Sequence, residues 1–342
     1  MARFEQFAVC AAVEAVQQAG LERIETESHR ASVLIGSAIG SMGTMFEQSV
    51  DYVERGPRRL SPFAIPMIMP NGAVDLLAIE YGFRGASFAP VSACASGADA
   101  IGYAYRFIRE GWIDVSIVGG AEAIICPLAF GLFDRISALS RREDPAKTPR
   151  PFDRERDGFV MGEGAGILIL ESLARAKRRG AEILAEVTGF GATTDAHHVT
   201  APDPEGRGAA RAIRMALEDA RIAPEDVDYI NAHGTGTLLN DEGETRAIKL
   251  AFGPAAYEVP ISSTKSMTGH AMGATGAMEA IFCIEAMRKG IIPPTINLEN
   301  PDPACDLDYT PQVARPQPVR VAMNNANGLG GHNAILIFRK FE

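Results

Sequence analysis

The sequence is short of cysteine, of basic charge and of uninterrupted apolar runs. Its five cysteines, Cys10, Cys94, Cys126, Cys283 and Cys305, are odd in number and form no CxxC pair. That pattern excludes a disulfide framework and a cysteine metal cluster, and it suits the reducing cytoplasm. The most apolar stretch, 115–133, is broken by Glu122, Pro127 and three glycines. It therefore reads as a buried strand followed by a turn and not as a membrane span. Lys and Arg number 33 against 43 Asp and Glu, a formal charge of −10. A chain this acidic is a poor general binder of nucleic acid, whose phosphates require local cations. The opening residues Met1-Ala2-Arg3-Phe4-Glu5-Gln6-Phe7 resemble neither a signal nor a transit peptide. Low-complexity linkers and short-period repeats are also missing. With 46% hydrophobic and 22% charged residues, the 342-residue chain is an ordinary globular protein of roughly two domains and not a disordered one.

What is there is an alternation of strands and helices. A helix is predicted over 4–19, ended by Gly20, then strands at 32–36, 87–92, 115–118 and 166–170. Helices at 72–81 and 97–110 fall between them, and a short basic helix at 171–179 follows. A second series begins after Gly180. Its strands are predicted at 183–188, 227–231, 259–263, 319–323 and 335–338, and its helices at 207–220, 241–251 and 273–289. Short apolar strands alternating with amphipathic helices predict an α/β fold with mostly parallel sheets covered by helices. The two series predict two similar halves, 1–180 and 181–342.

Four stretches carry chemistry. In Val91-Ser92-Ala93-Cys94-Ala95-Ser96-Gly97 a cysteine lies where strand gives way to helix. Such an elbow exposes the side chain, and the helix N-terminus favours a thiolate. In Asn231-Ala232-His233-Gly234-Thr235-Gly236-Thr237 a histidine lies at a strand's carboxyl end, beside two hydroxyls able to bond an extended polar ligand. Ser263-Thr264-Lys265-Ser266-Met267-Thr268-Gly269-His270 adds a lysine and a second histidine, followed by the small residues of 271–276. Asn324-Asn325-Ala326-Asn327-Gly328-Leu329-Gly330-Gly331-His332-Asn333 offers backbone N–H groups for an oxyanion nest. Each has a plain reading on its own: a buried cysteine, a capped turn histidine, a solvated lysine, a glycine-rich hairpin. Together they set one thiol, two histidines, a lysine and an N–H nest at strand ends. A Cys–His–His set suits thioester chemistry, in which a thiolate takes an acyl group and two neutral imidazoles donate to an enolate oxygen.

On these motifs, with Pro151-Phe152-Asp153, Arg156-Asp157-Gly158-Phe159 and Pro293-Pro294-Thr295-Ile296-Asn297-Leu298, the chain resembles the β-ketoacyl-[acyl-carrier-protein] synthases of type II, in the thiolase-fold family of condensing enzymes. The resemblance runs over the whole chain. It implies a thiolase fold, two βα halves with sheets sandwiched between helix layers, the first carrying the cysteine and the second the histidines and lysine. It implies an acyltransferase of fatty-acid synthesis that joins an acyl-Cys94 thioester to malonyl-acyl carrier protein with loss of CO2. By the same resemblance His233 and His270 stabilise the enolate, and Lys265, paired with Glu244, sets the electrostatics around them. The N–H groups of Cys94 and Leu329 form the oxyanion hole, and Thr235 and Thr237 touch the pantetheine arm. Leu329 and Ile39 bound the acyl tunnel, while Arg58 and Arg59 dock the acidic carrier protein in preference to Lys177, Arg178 and Arg179. No metal or cofactor is implied, since phosphopantetheine arrives on the carrier protein. A homodimer is expected, pairing edge strands at 87–92, with no nucleic-acid or membrane partner.

Two departures from the family pattern stand out. Met1 aligns with an internal position, so the family's opening strand, loop and helix are expected to be missing, as in a fragment or a mis-called start. Asn327 and Leu329 occupy positions that are phenylalanine in the family, so acyl gating and chain-length preference are expected to differ. Two other readings share much of this pattern. A ketosynthase of a polyketide or specialised lipid pathway shares every motif. A non-catalytic partner resembling a chain-length factor would lack the cysteine that is present here.

Overall fold

The computed structural model describes residues 1–21 and 28–342. The chain divides into two compact units. The first comprises residues 1–135, 162–182 and 271–278; the second comprises 136–161, 183–270 and 279–342. The expected single boundary at 180 is thus replaced by exchanges of chain. The 271–278 segment counts with the first unit because its glycine backbone is packed there, as described below.

In the first unit, helices α1 (Arg3–Ala19), α2 (Met42–Arg55), α3 (Ala64–Ile68), α4 (Gly72–Tyr81), α5 (Ser96–Arg109), α6 (Pro127–Arg135) and α7 (Leu173–Arg178) accompany strands β1 (Ala31–Gly36), β2 (Val115–Glu122) and β3 (Gly164–Glu171). The strand order is β1-β2-β3, with β1 parallel and β3 antiparallel to β2. Helix α1 buries Phe4, Ala8, Ala12 and Val16, a four-residue spacing that aligns them on one face. They pack with Val33 and Ile35 of β1 and Ile117 of β2. The helix ends at Gly20, whose φ of 58° is left-handed and whose N–H turns back to Gln17 and Val16 carbonyls.

In the second unit lie β4 (Glu186–Thr194), α8 (Arg207–Ala220), β5 (Tyr229–Asn231), α9 (Leu238–Phe252), β6 (Ile261–Ser262), α10 (Lys265–Thr268), most of α11 (Thr275–Lys289), β7 (Ile291–Ile292), β8 (Arg315–Pro316), β9 (Val321–Gly328) and β10 (His332–Arg339). Its main sheet has the order β4-β10-β9-β5-β6. The core joins Ile213 and Leu217 of α8 to Ile230, Met323, Ile335 and Ile337 of the sheet. Helix α8 approaches β4 unusually closely. A Cβ at Gly189 or Gly191 would stand 2.3 or 2.0 Å from the Ala216 or Ala212 carbonyl oxygen.

Several expectations need correction. The sheets are mixed: β9 pairs parallel with β5, and β5 with β6, but β10 runs antiparallel to both β4 and β9. Residues 87–92 form no strand, only one bridge between Phe88 and Leu34. The Ser87 hydroxyl accepts from the Val33 N–H at 2.9 Å, taking the place of a ladder carbonyl, and Pro90 has no N–H to give. The strand read at 183–188 lies further on, at Glu186–Thr194. Among the described residues no helix is long and apolar enough to cross a membrane.

Candidate active site

In the first unit, Cys94 sits in a single 3₁₀ turn, Ala93–Ala95, that leads directly into α5. Ala93 has φ +52°, left-handed for a residue with a Cβ. The turn is held by side chains. Ser96 Oγ donates to the Ala93 carbonyl at 2.7 Å and accepts from the Ser92 N–H at 2.9 Å; Ser92 Oγ donates to Asp99 at 2.5 Å. Cys94 is half-buried at the positive end of α5.

The same unit carries a carboxyl that sequence reasoning leaves without a role. Glu122, the last residue of β2, is fully buried, and burial pushes its carboxyl up to about 7. Ile39 is half-buried nearby, in the segment this carboxyl holds. Arg58 and Arg59 are exposed on a short turn, Pro57–Arg59. Arg179 is less available for docking, since it is bonded to Glu171 and to the Ala19 carbonyl.

In the second unit, His233 follows β5 and His270 follows α10. Their rings meet edge to face with centroids 5.3 Å apart, and the Phe159 ring stands 5.3 Å from His270 in the same manner. Each backbone is pinned: the His233 N–H donates to Glu244 at 2.7 Å, and the His270 N–H to the Val160 carbonyl at 2.7 Å. Both rings are buried, and burial is the first cause holding their pKa values well below the usual imidazole value; the Lys265 ammonium adds to it in both. Both imidazoles are therefore neutral near pH 7. Nδ1 of His233 has no hydrogen-bond partner among the described residues.

Lys265 is where the sequence reading is corrected. Its Nζ pairs with Glu279 of α11 at 2.6 Å, both side chains being 1% exposed. Burial raises Glu279 to about 7, against the pull of Lys265. Glu244 does a different job. Its two oxygens accept from the N–H groups of His233 and Gly234, and Asn325 donates to it at 3.3 Å. Sequence reasoning missed Glu279, one of two acids on α11; Glu285 pairs with Arg288 and Lys289 of the last turn, whereas Glu279 has no charged residue within a turn of it. That isolation was the available signal.

The glycine-rich nest is narrower than expected. Asn324 to Gly328 belong to β9, paired residue by residue with β10, which leaves a tight turn at Leu329–Gly331. Leu329 is exposed there, and Gly330 and Gly331 take φ values of +87° and +77°. Asp195 fastens the turn by donating its N–H to the Gly331 carbonyl at 2.8 Å and accepting from Asn333 at 2.8 Å. Thr235 and Thr237 bond each other at 2.9 Å. Beneath them the buried Arg156 guanidinium donates to the Thr237 and Leu238 carbonyls, and Asp241 accepts from the Gly236 and Phe152 N–H groups.

Comparison with known proteins bears on these arrangements directly. The β-ketoacyl synthase N-terminal domain matches residues 1–176 and the β-ketoacyl synthase C-terminal domain matches 184–299. The chain belongs to the β-ketoacyl synthase family. It is 50% identical to the 3-oxoacyl-[acyl-carrier-protein] synthase 2 of Synechocystis sp., over 100% of this chain and 82% of that protein. Among solved structures, a β-ketoacyl synthase from Burkholderia phymatum superposes with a TM-score of 0.93 at 40% identity, covering 100% of this chain and 83% of the other. The ketosynthase of a type II polyketide synthase, in complex with its acyl-carrier protein and bound to the hexaketide, gives 0.94 at 38% identity, covering 99% and 85%. This β-ketoacyl synthase therefore has the thiolase fold expected of it and is a condensing enzyme.

Proposed function

We propose that the chain is a 3-oxoacyl-[acyl-carrier-protein] synthase that elongates fatty acyl chains in the cytoplasm, with Cys94, His233 and His270 acting as one set. The observation that carries the reading is the pair of buried, neutral imidazoles backed by Lys265. A neutral ring keeps an N–H to donate, and a buried donor costs little reorganisation when charge develops on an oxygen.

In the first half-reaction the Cys94 thiolate attacks the acyl thioester on the carrier protein. The N–H groups of Cys94 and Leu329 receive the tetrahedral oxyanion, and the pantetheine thiolate leaves. Malonyl-carrier protein then enters, its arm held by Thr235 and Thr237. The bond to its carboxylate breaks, CO2 leaves, and the electron pair passes into an enolate whose oxygen accepts from His233 and His270. The enolate carbon attacks the acyl-Cys94 carbonyl, and collapse expels the Cys94 thiolate with a 3-oxoacyl-carrier protein as product. Decarboxylation supplies the carbanion, so the reading assigns no metal or redox cofactor. Lys265 and Glu279 hold the field around the imidazoles, and Glu244 fixes the His233 backbone. Arg58 and Arg59 receive the acidic carrier protein, Leu329 and Ile39 bound the acyl chain, and a homodimer completes the reading.

The similarity to a polyketide ketosynthase favours one second reading, in which the acyl chain is a polyketide or specialised lipid. Intact mass after incubation with acyl-carrier protein thioesters tests both. An acyl adduct on the parent chain that is absent from Cys94→Ala supports the nucleophile, and the chain accepted chooses the pathway. A folded protein with no adduct from any thioester sinks catalysis and leaves a partner-subunit role.

A further inference from the structure

Glu122 has four hydrogen-bond donors converging on it, and they come from two separated stretches of the first unit. Its Oε1 accepts from Ser37 Oγ at 2.9 Å and from the Ile39 N–H at 3.4 Å. Its Oε2 accepts from the Ala38 N–H at 2.6 Å and the Gly273 N–H at 3.0 Å. Ser37 Oγ accepts in turn from the Gly40 N–H at 3.0 Å. The segment that leaves β1 is thus wrapped around one buried carboxyl, which also grips the turn before α11.

This junction has no slack. A Cβ on Gly273 would stand 2.4 Å from the Ala38 nitrogen, and one on Gly97 would stand 2.8 Å from the Gly273 carbonyl oxygen. A Cβ on Gly36 would meet the Ser96 carbonyl oxygen at 2.2 Å. Gly97 follows Cys94 by one helical turn, so the elbow, the Ser37–Ile39 segment and Gly273 touch backbone to backbone around Glu122. Backbones at such distances cannot shift singly. The carboxyl supplies the acceptors that three N–H groups and a hydroxyl otherwise lack. Ile39 is bound by the longest of the four bonds, so its place depends on the other three.

We propose that Glu122 is a positioning residue for acyl-chain selection, fixing Ile39 relative to the Cys94 elbow. The inference rests on the reading above, in which Ile39 bounds the acyl chain. A wall displaced by one methylene's length changes the preference between neighbouring chain lengths by about fourfold. Loosening Ser37–Ile39 therefore alters the ratio of long-chain to short-chain acylation, whereas a merely structural role would depress both alike.

The experiment measures kcat/KM for Cys94 acylation with a long-chain and a short-chain saturated acyl-carrier protein, for the parent and for Glu122→Gln, Glu122→Ala and Ile39→Ala. Gln keeps one oxygen for Ala38 and Gly273 and gives Ser37 a donor, losing only the Ile39 acceptor, so its ratio should lie between those of Glu and Ala. The expected result is a shift of about fourfold or more in Glu122→Ala, with a smaller one in Glu122→Gln. If Glu122→Ala does not fold, a shifted ratio in Glu122→Gln carries the test. Parallel loss with both primers, or an unchanged ratio in folded Glu122 variants while Ile39→Ala shifts it, overturns the role of Glu122 alone. An unchanged ratio in Ile39→Ala, or no acylation of the parent, overturns the reading beneath it and the proposal with it.

Discussion

Cys94 and the two histidines are held by different materials. In the first unit the proposed nucleophile, Cys94, is aimed by backbone: a left-handed alanine, a 3₁₀ turn, serine hydroxyls closing the turn, and glycines that let chains touch. In the second unit the buried Glu244 carboxylate holds the His233 backbone, and the buried Lys265–Glu279 pair sets the field around both rings. Backbone positioning is tuned by shape, and a shape error costs contact energy. Charge positioning is tuned by pairing, and a lost partner strands a charge in a medium that solvates it poorly. The second unit should therefore be the more brittle towards single polar substitutions.

The sharpest test of that contrast is Lys265→Ala. It takes the buried cation from Glu279 and leaves a cavity, and should destabilise the protein by about 3–5 kcal/mol in denaturant unfolding. Adding Glu279→Leu should recover part of the loss because no buried acid is left unpaired. An unaltered midpoint in the single variant would break the contrast. Next in size, His233→Ala should lower the rate of malonyl decarboxylation by about 10²–10³-fold while Cys94 still becomes acylated. Equal loss of both half-reactions in a folded variant would show that the two kinds of positioning are not separable.

The third test is pH. The folded carboxyl of Glu122 is raised from 4.5 to about 7, so the folded state holds a proton that the unfolded state has already lost. Its contribution is fully present below pH 4.5 and disappears as pH rises through about 7. The stability of the parent relative to Glu122→Gln should thus fall across that interval, by up to about 3 kcal/mol. Parallel stability curves for the two proteins would refute it. Smallest are the glycines. Gly36→Ala should cost about 1–3 kcal/mol by overpacking. Gly131→Ala, in α6 with open space where a Cβ would stand, should gain up to about 1 kcal/mol, both variants being read by thermal melts.

Much of this architecture was legible because periodicity and punctuation agreed. The helix predicted at 207–220 coincides with α8, whose buried Ala209, Ala212, Ile213, Ala216 and Leu217 repeat at helical spacing after Gly206. The helix at 72–81 coincides with α4 and ends at Gly82. The proposed site residues Cys94, His233, Lys265 and His270 stand out in the sequence because four stretches with chemistry fall together at strand ends, although each alone has a plain reading. What failed was set by tertiary contact. Strand β4 carries Gly189 and Gly191 because α8 presses on it, and glycine weakens any strand signal. Strand β9 runs through buried Asn324 and Asn325, whose polarity suggests a loop until Glu244 is seen to accept from Asn325. Glu244 and Glu279 are both buried helical acids, and only the fold decides which one meets Lys265.

The elbow has a stereochemical consequence. At Ala93 the backbone adopts the mirror image of what an L-residue prefers, at a cost of about 1–2 kcal/mol. A D-alanine placed there by semisynthesis would suit the native turn better than the natural residue does. Such a chain should melt higher and still present Cys94 with unchanged geometry. The handedness of that turn is imposed by the surrounding fold on a residue whose own chirality opposes it.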